Sequence, residues 1–367
     1  MPRVEIFHPL LSRLEGLMIY FFLGAGVVSL ESDLDREKIS LRTMVFVDEA
    51  KKRGMNFLAL RGPAGFLNVF QMRVNGRWHL IEGLPRIEWL GSKETSRIDD
   101  KAFVKKKLKE SGFVAPNGRS FGFWSRNRAM KYAKELGFPL VVKPTIGSMS
   151  QHITTNIKDE DELEEAIDRA ATYSPYFIVE KHLANAKVFR ATVIDGENIA
   201  CIERVPAHVT GDGTRSVREL LKMKNKDSRR GEPRQKNTTQ YKIVADETTE
   251  RLLSEQGRGW SSVPEKNERI YLQEKVILDL GADLFERTGE VHPDNLELFR
   301  AVARLFNTRL VGIDFLAEDI SKSWRGQNAA IIELNSLPYI DMHHFPTKGE
   351  PVNVGGFICD MVEKYYK

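Results

Sequence analysis

Two short apolar runs, Leu140-Val141-Val142-Lys143 and Phe177-Ile178-Val179-Glu180, each end abruptly in a charged residue. Runs of this length flanked by helical segments read as buried strands. A helix leads into the first: it starts after Ser125 and stops at Gly137, with Pro139 just beyond. Another lies between them, where Asp159 and Glu162 form a capping pair ahead of Leu163, Ala166, Ile167 and Ala170. Strands alternating with helices require an α/β (α+β) architecture, with charge delivered at strand ends.

The same pattern continues on both sides. Upstream, a helix is expected over Leu41 to Lys52, a strand at Asn56 to Leu60, and a hairpin from Phe66 to Glu82 turned at Asn75-Gly76. Downstream, Val188 to Ile194 and Ile199 to Val205 form a hairpin turned at Asp195-Gly196. Helices are expected to begin at Pro293-Asp294 and at Val354, with strands at Leu310 to Leu316 and Ala329 to Leu334 between them. At 367 residues the chain holds two or three domains. The expected division is a small N-terminal α/β unit over 1–92 and a larger unit over 93–367. The latter splits into a small lobe at about 126–200 and a large lobe at about 201–367, the large lobe carrying a polar, basic insertion at 211–274.

Composition removes several classes. With 41% hydrophobic and 29% charged residues the chain has the balance of an ordinary globular protein. Lys and Arg exceed Asp and Glu by 55 to 51, so a net charge of +4 gives no general pull toward nucleic acid or membrane. Cys201 and Cys359 are too few for a disulfide framework, which points to a reducing, cytoplasmic setting. The apolar stretch Leu17 to Leu30, broken by Gly24 and Gly26, stops about four residues short of a membrane span and reads as a buried element.

Chemistry concentrates in two places. In Ile331-Ile332-Glu333-Leu334-Asn335 the strand period of two puts Glu333 and Asn335 on one face. Val311-Gly312-Ile313-Asp314-Phe315 puts Asp314 on a strand face, with Gly312 leaving room beside it. If the two strands are neighbours, three oxygen donors converge in a set suited to magnesium. The plain alternative is the wet face of a one-sided sheet. The second place is Lys143 with the loop that follows, where Gly147, Ser148 and Ser150 offer amides and hydroxyls to phosphate. A solvated hairpin turn is the alternative there. No GxxxxGK[ST], HExxH, GxSxG or kinase signature occurs, so those chemistries have no anchor.

Weaker candidates remain. Arg190 and Arg204 sit on one hairpin at a spacing that lets both face a cleft. His343-His344 could touch substrate or metal, and the basic run Lys222 to Lys236 could hold an anion or RNA; a solvated surface accounts for either equally well.

Together and in this order, the pieces resemble the ATP-grasp superfamily of carboxylate-amine ligases. The resemblance rests on Lys101 in Asp100-Lys101, the VVKP strand with Lys143, the Ile178-Val179-Glu180-Lys181 hinge, and GID at 312–314 followed by ELN at 333–335. RVPAHVTGDGTRSVREL (204–220), NKDSRRGEP (225–233), Val291-His292-Pro293 and HHFPTKGEPVNVGG (343–356) are similar to the ATP-grasp region of cyanophycin synthetase and of the bifunctional glutathione-forming enzyme.

The resemblance implies two α/β lobes sandwiching ATP. Adenine would lie against the hinge at Glu180, Lys181 and Leu183, and the phosphates against Lys101, Lys143, Gly147, Ser148 and Ser150. Asp314, Glu333 and Asn335 would hold two Mg2+ ions, or Mn2+. Arg190, Arg204 and Arg230 would serve the acyl phosphate, and Arg229, His292, His343 and His344 the substrate side. The partners implied are a small carboxylate and an amine, with no nucleic acid or membrane, and a homo-oligomer is compatible with these features. Two departures stand out: Ala186 to Arg190 holds no acid where relatives hold the ribose, and the downstream ligase domain of cyanophycin synthetase is not in the chain, so cyanophycin polymerisation is not expected. A nucleotide-binding module without turnover and, less favoured, an RNA-binding scaffold are the rival readings.

Overall fold

The apolar run at the start of the chain is helical but not buried. In the computed structural model, which describes residues 11–86, 97–145 and 152–366, α1 (Leu11–Gly24) leaves Met18 53% and Phe21 71% exposed. None of residues 18–30 is buried, so the expectation of a buried element fails. The first sheet is antiparallel and runs in chain order through β1 (Ser29–Glu31), β2 (Asn56–Gly62), β3 (Gly65–Val74) and β4 (Arg77–Glu82). Asn75 and Gly76 take φ of 49° and 78°, as a two-residue hairpin turn demands, and pair Val74 with Arg77. The helix α2 (Leu41–Lys52) buries Met44, Phe46, Val47 and Ala50 against it.

Asp100 caps α3 (Lys101–Glu110), accepting from the amides of Ala102 and Phe103 at 3.0 Å. A second antiparallel sheet follows, built from β5 (Gly118–Gly122), β6 (Leu140–Pro144), β7 (Thr154–Ile157) and β8 (Tyr176–Lys181) in the order β5-β8-β6-β7. The helices α4 (Arg126–Leu136) and α5 (Glu160–Ala171) pack on it through Ala129, Ala133, Leu163 and Ile167.

The chain then leaves this lobe. The hairpin of β9 (Lys187–Ile194) and β10 (Asn198–Val205) already belongs to the large sheet, so the change of lobe falls between Lys181 and Lys187, earlier than residue 200. Residues 208–271 hold β11 (His208–Thr210), α6 (Val217–Asn225), β12 (Arg230–Gly231), β13 (Gln240–Tyr241), α7 (Glu247–Glu255) and β14 (Arg269–Tyr271). Val209, Val217, Leu253, Ile270 and Leu272 give this polar stretch a core of its own.

β15 (Asp283–Glu286), α8 (Pro293–Leu305), β16 (Leu310–Ala317), β17 (Ala329–Asn335), α9 (Asp341–His344) and α10 (Val354–Tyr365) complete the chain. The large sheet is antiparallel throughout, ordered β15-β10-β9-β16-β17. One face packs on α3 and α8 through Val104, Leu108, Phe299, Val302 and Phe315. The other meets α10, and the same cluster runs on into α2 and the N-terminal sheet. No helix among the described residues is long and apolar enough to cross a membrane.

Candidate active site

Strand register brings the oxygen donors together. β16 and β17 pair so that Asp314 faces Glu333 and Gly312 faces Asn335 across the ladder. On the other side of β16, Arg190 of β9 is the register partner of Asp314, and Arg204 stands one strand further out on β10. Both guanidinium groups close on the Asp314 carboxylate, Arg190 through Nε and Arg204 through Nη2 at 3.1 Å. All five side chains line one cavity of about 560 Å³. The room beside Gly312 serves the protein rather than a ligand, because an added Cβ would stand 3.0 Å from Pro338 and 3.2 Å from Arg190.

Charge in this corner is finely balanced. Burial alone would raise the Asp314 carboxyl, but Arg190 and Arg204 outweigh it and hold the group below its ordinary range. Glu333 goes the other way, raised by burial and by repulsion from Asp314, with Lys101 Nζ 3.5 Å from its Oε1. Asn335 Nδ2, Arg190 Nη1 and Arg204 Nε are buried with no hydrogen-bond partner among the described residues. Buried donors are seldom left so, and three on one cavity leave capacity for a ligand.

The opposite side of the cleft is built on lysines. Lys143, at the end of β6, sits 2.7 Å from Glu180 Oε1 and donates to the Ile332 carbonyl of β17 at 3.5 Å, tying the lobes together. The other Glu180 oxygen takes Lys105 of α3, which also donates to the Pro116 carbonyl at 3.1 Å. Burial would raise Glu180, yet the two ammonium groups hold it below its ordinary value. Lys105 is pushed down to about 8, by burial first and by the charge of Lys143. The side chain expected to face adenine is therefore the hub of two lysines. Lys105 escaped the sequence reading, though its spacing of four from Lys101 puts both on one helical face.

Other expected residues lie elsewhere. Gly147, Ser148 and Ser150 fall outside the described residues. Lys181 donates to the carbonyls of Gly137 and Phe138 at 2.9 and 2.8 Å, closing the end of α4, and Leu183 is half-buried in the connection to β9. Arg230 is buried against Asp283 and the Tyr241 carbonyl beside the β12–β13 pairing, and it is not among the residues that line the cavity. Arg229 is exposed and held by Asp227. His292 caps α8, accepting from the Asp294 amide. His343 is buried between Thr192 and Glu286, and His344 accepts from the Gly355 amide. Of the basic run, Arg234 and Lys236 line the cavity; Arg42, Tyr339 and Asp341 line it too and were missed.

Two facing α/β sheets, with lysines from one side and carboxylates from the other meeting between them, define an ATP-grasp fold. Residues 120–231 match the family model described as the D-ala D-ala ligase C-terminus. Cyanophycin synthetase of Trichormus variabilis is 34% identical over 321 residues, which is 87% of this chain and 34% of that protein. The bifunctional glutathione biosynthesis protein of Desulfotalea psychrophila is 28% identical over 88% of this chain and 41% of its own. The crystal structure of a bifunctional glutathione synthetase from Pasteurella multocida aligns with a TM-score of 0.68 at 23% identity, covering 89% of this chain and 44% of that one. The chain has the ATP-grasp fold and is similar to a region of these proteins, spanning about a third of the cyanophycin synthetase it matches.

Proposed function

We propose that the protein is an ATP- and magnesium-dependent ligase that joins a carboxylate to an amine through an acyl phosphate. The observation that carries this reading is the convergence of Asp314, Glu333 and Asn335 on one cavity with Arg190 and Arg204, facing Lys101 and Lys143.

Magnesium suits this donor set. Two carboxylates and an amide are hard oxygen ligands, too few for an all-protein cage but enough for an ion that completes its shell on water and phosphate. The repulsion between Asp314 and Glu333 is what a divalent cation would relieve. When bound, it would neutralise phosphate charge.

The chain's own groups do the positioning. Lys101 and Lys143 reach phosphate oxygens, and two ammonium groups against the single Glu180 leave a buried positive charge for which a phosphate is a fitting partner. The substrate carboxylate attacks the γ-phosphorus and ADP leaves. An amine then displaces phosphate from the acyl carbon, giving the amide. The spare donors of Arg190 and Arg204 meet the charge of the acyl phosphate and of the tetrahedral intermediate. No protein nucleophile is required. A screen of phosphate release with ATP, magnesium and paired pools of acids and amines tests the reading: release should need both partners, and release that needs neither, or none in any pair, would reject it.

A further inference from the structure

Of the three residues assigned to the metal, Asn335 is the one that its own strand secures least. It closes β17, and its rung with Gly312 is the last of the β16–β17 ladder. Its Nδ2 is buried with no partner among the described residues, so that atom does not fix the side chain. The amide of the next residue, Ser336, lies beyond the ladder and must find an acceptor elsewhere.

Asp99 supplies it. One carboxylate oxygen accepts from the Ser336 amide at 3.0 Å and the other from the Ser336 hydroxyl at 2.7 Å. Both bonds are charge-assisted, and together they grip one residue at two points. The next two residues are held as well. Arg42 donates to the Leu337 carbonyl at 2.6 Å, and Pro338 packs over Gly312, where an added Cβ would stand 3.0 Å from it. The chain beyond Asn335 therefore folds back over Gly312, the cross-strand partner of Asn335, and is tied down at three successive residues.

Asp99 is exposed and is not among the residues that line the cavity, so it is not placed to be a ligand itself. Its segment is nonetheless part of the frame of the site. Asp100 caps α3, and Lys101, two residues on from Asp99, reaches Glu333 of the same β17. Residues 99–101 thus dock on β17 at Glu333 and just past it at Ser336, the positions that flank Asn335.

We propose that Asp99 is a positioning residue for Asn335: by gripping Ser336 it holds the last peptide of β17, so that Asn335 is already ordered when the cation arrives. Without the grip, that strand end would be ordered only on binding, and the lost conformational entropy would weaken the metal complex. The proposal rests on the magnesium reading of Asp314, Glu333 and Asn335. A bond that merely stabilised the strand end would lower thermal stability and leave the response to metal alone.

The test is calorimetric titration of a non-hydrolysable ATP analogue into the whole protein, once in excess Mg2+ and once in EDTA. Asp99→Ala should weaken binding in Mg2+ by about 10-fold, as loss of the support behind a metal ligand does, and leave binding in EDTA within about 2-fold of the wild type. Asp99→Asn keeps an oxygen for the Ser336 amide and an NH2 that the hydroxyl oxygen can accept, and it should recover most of the loss. Equal weakening in both conditions, or no change in either, overturns the proposal. If Asp99→Ala fails to fold, Ser336→Ala decides in its place: it removes only the hydroxyl bond and should cost about 3-fold, again in Mg2+ alone. A wild type that binds the analogue equally well in Mg2+ and in EDTA rejects the magnesium reading and the positioning role with it. A wild type that binds more tightly in Mg2+, beside an Asp99→Ala variant that behaves identically, rejects the positioning role alone.

Discussion

Asp314 and Glu333 are two carboxylates in one buried corner, yet they carry different loads. Asp314 is held by two arginines and positions them, whereas Glu333 and Asn335 are only half-buried and open onto the cavity. Replacing Glu333 by Gln together with Asn335 by Ala should therefore leave the fold intact and remove metal-dependent charge neutralisation. We expect kcat to fall at least about 100-fold, since such ions supply several kcal/mol, while Tm moves by less than about 3 °C. Steady-state kinetics and thermal denaturation check this, and full activity would dismiss the assignment. Lys105 adds a pH dependence. Its ammonium is retained below about pH 8 and shed above it, so ATP affinity should weaken as pH rises through that value. Titration of ATP on either side of it should show the effect in the wild type and not in Lys105→Met. The unliganded protein should respond in the opposite sense. A lysine whose folded pKa is depressed below its unfolded one lowers stability when charged, so the ligand-free fold gains stability as pH rises from about 8 toward the unfolded value.

At the scale of elements, the strands that carry charge into the cleft were legible because each is an apolar run cut off by a polar residue. The ends of β6, β8 and β17 fall where those runs stop, and Asp159 caps the helix its spacing announced. What spacing does not encode is which side chains meet across elements. The convergence of Lys105 and Lys143 on Glu180 depends on how closely β5 approaches β8. That approach is set by Gly118, where a Cβ would come within 2.4 Å of the Glu180 Cβ and 2.5 Å of the Val179 carbonyl. Arg230 was misjudged for a related reason: a basic run shows charge but not which member a short strand pairing will turn toward Asp283. Gly118→Ala should push β8 away, cost roughly 1 to 3 kcal/mol in stability, and weaken ATP binding by moving Glu180 and its lysines. Denaturant unfolding together with ATP titration tests this, and a variant with unchanged ATP affinity would mean that the spacing of β5 and β8 does not set the lysine geometry.

Across the whole molecule, the N-terminal unit and the ATP-grasp lobes are continuous in their packing. The cluster containing Phe46, Phe57, Phe70 and Met72 also contains Ile358, Cys359, Met361 and Val362 of α10 and Ile194 and Leu310 of the large sheet. Polar ties reinforce the joint, with Arg53 bonded to Asp360 at 2.6 Å and Asn75 donating to the Tyr366 carbonyl at 2.9 Å. Arg42 crosses from α2 to the Leu337 carbonyl just beyond β17. An element that lines the cavity holding Asp314 and Glu333 is thus anchored by the same contacts that stabilise it. The consequence is cooperativity: the N-terminal sheet and the large lobe should unfold in one transition. Met361→Ala, at a fully buried position of α10, should cost about 2 to 5 kcal/mol and should lower the melting temperature of β2–β4 and of the large sheet together. Hydrogen exchange read segment by segment would show this as equal loss of protection in Asn56–Gly62 and in Leu310–Ala317. Loss confined to the N-terminal strands would show that the shared cluster does not couple the two units.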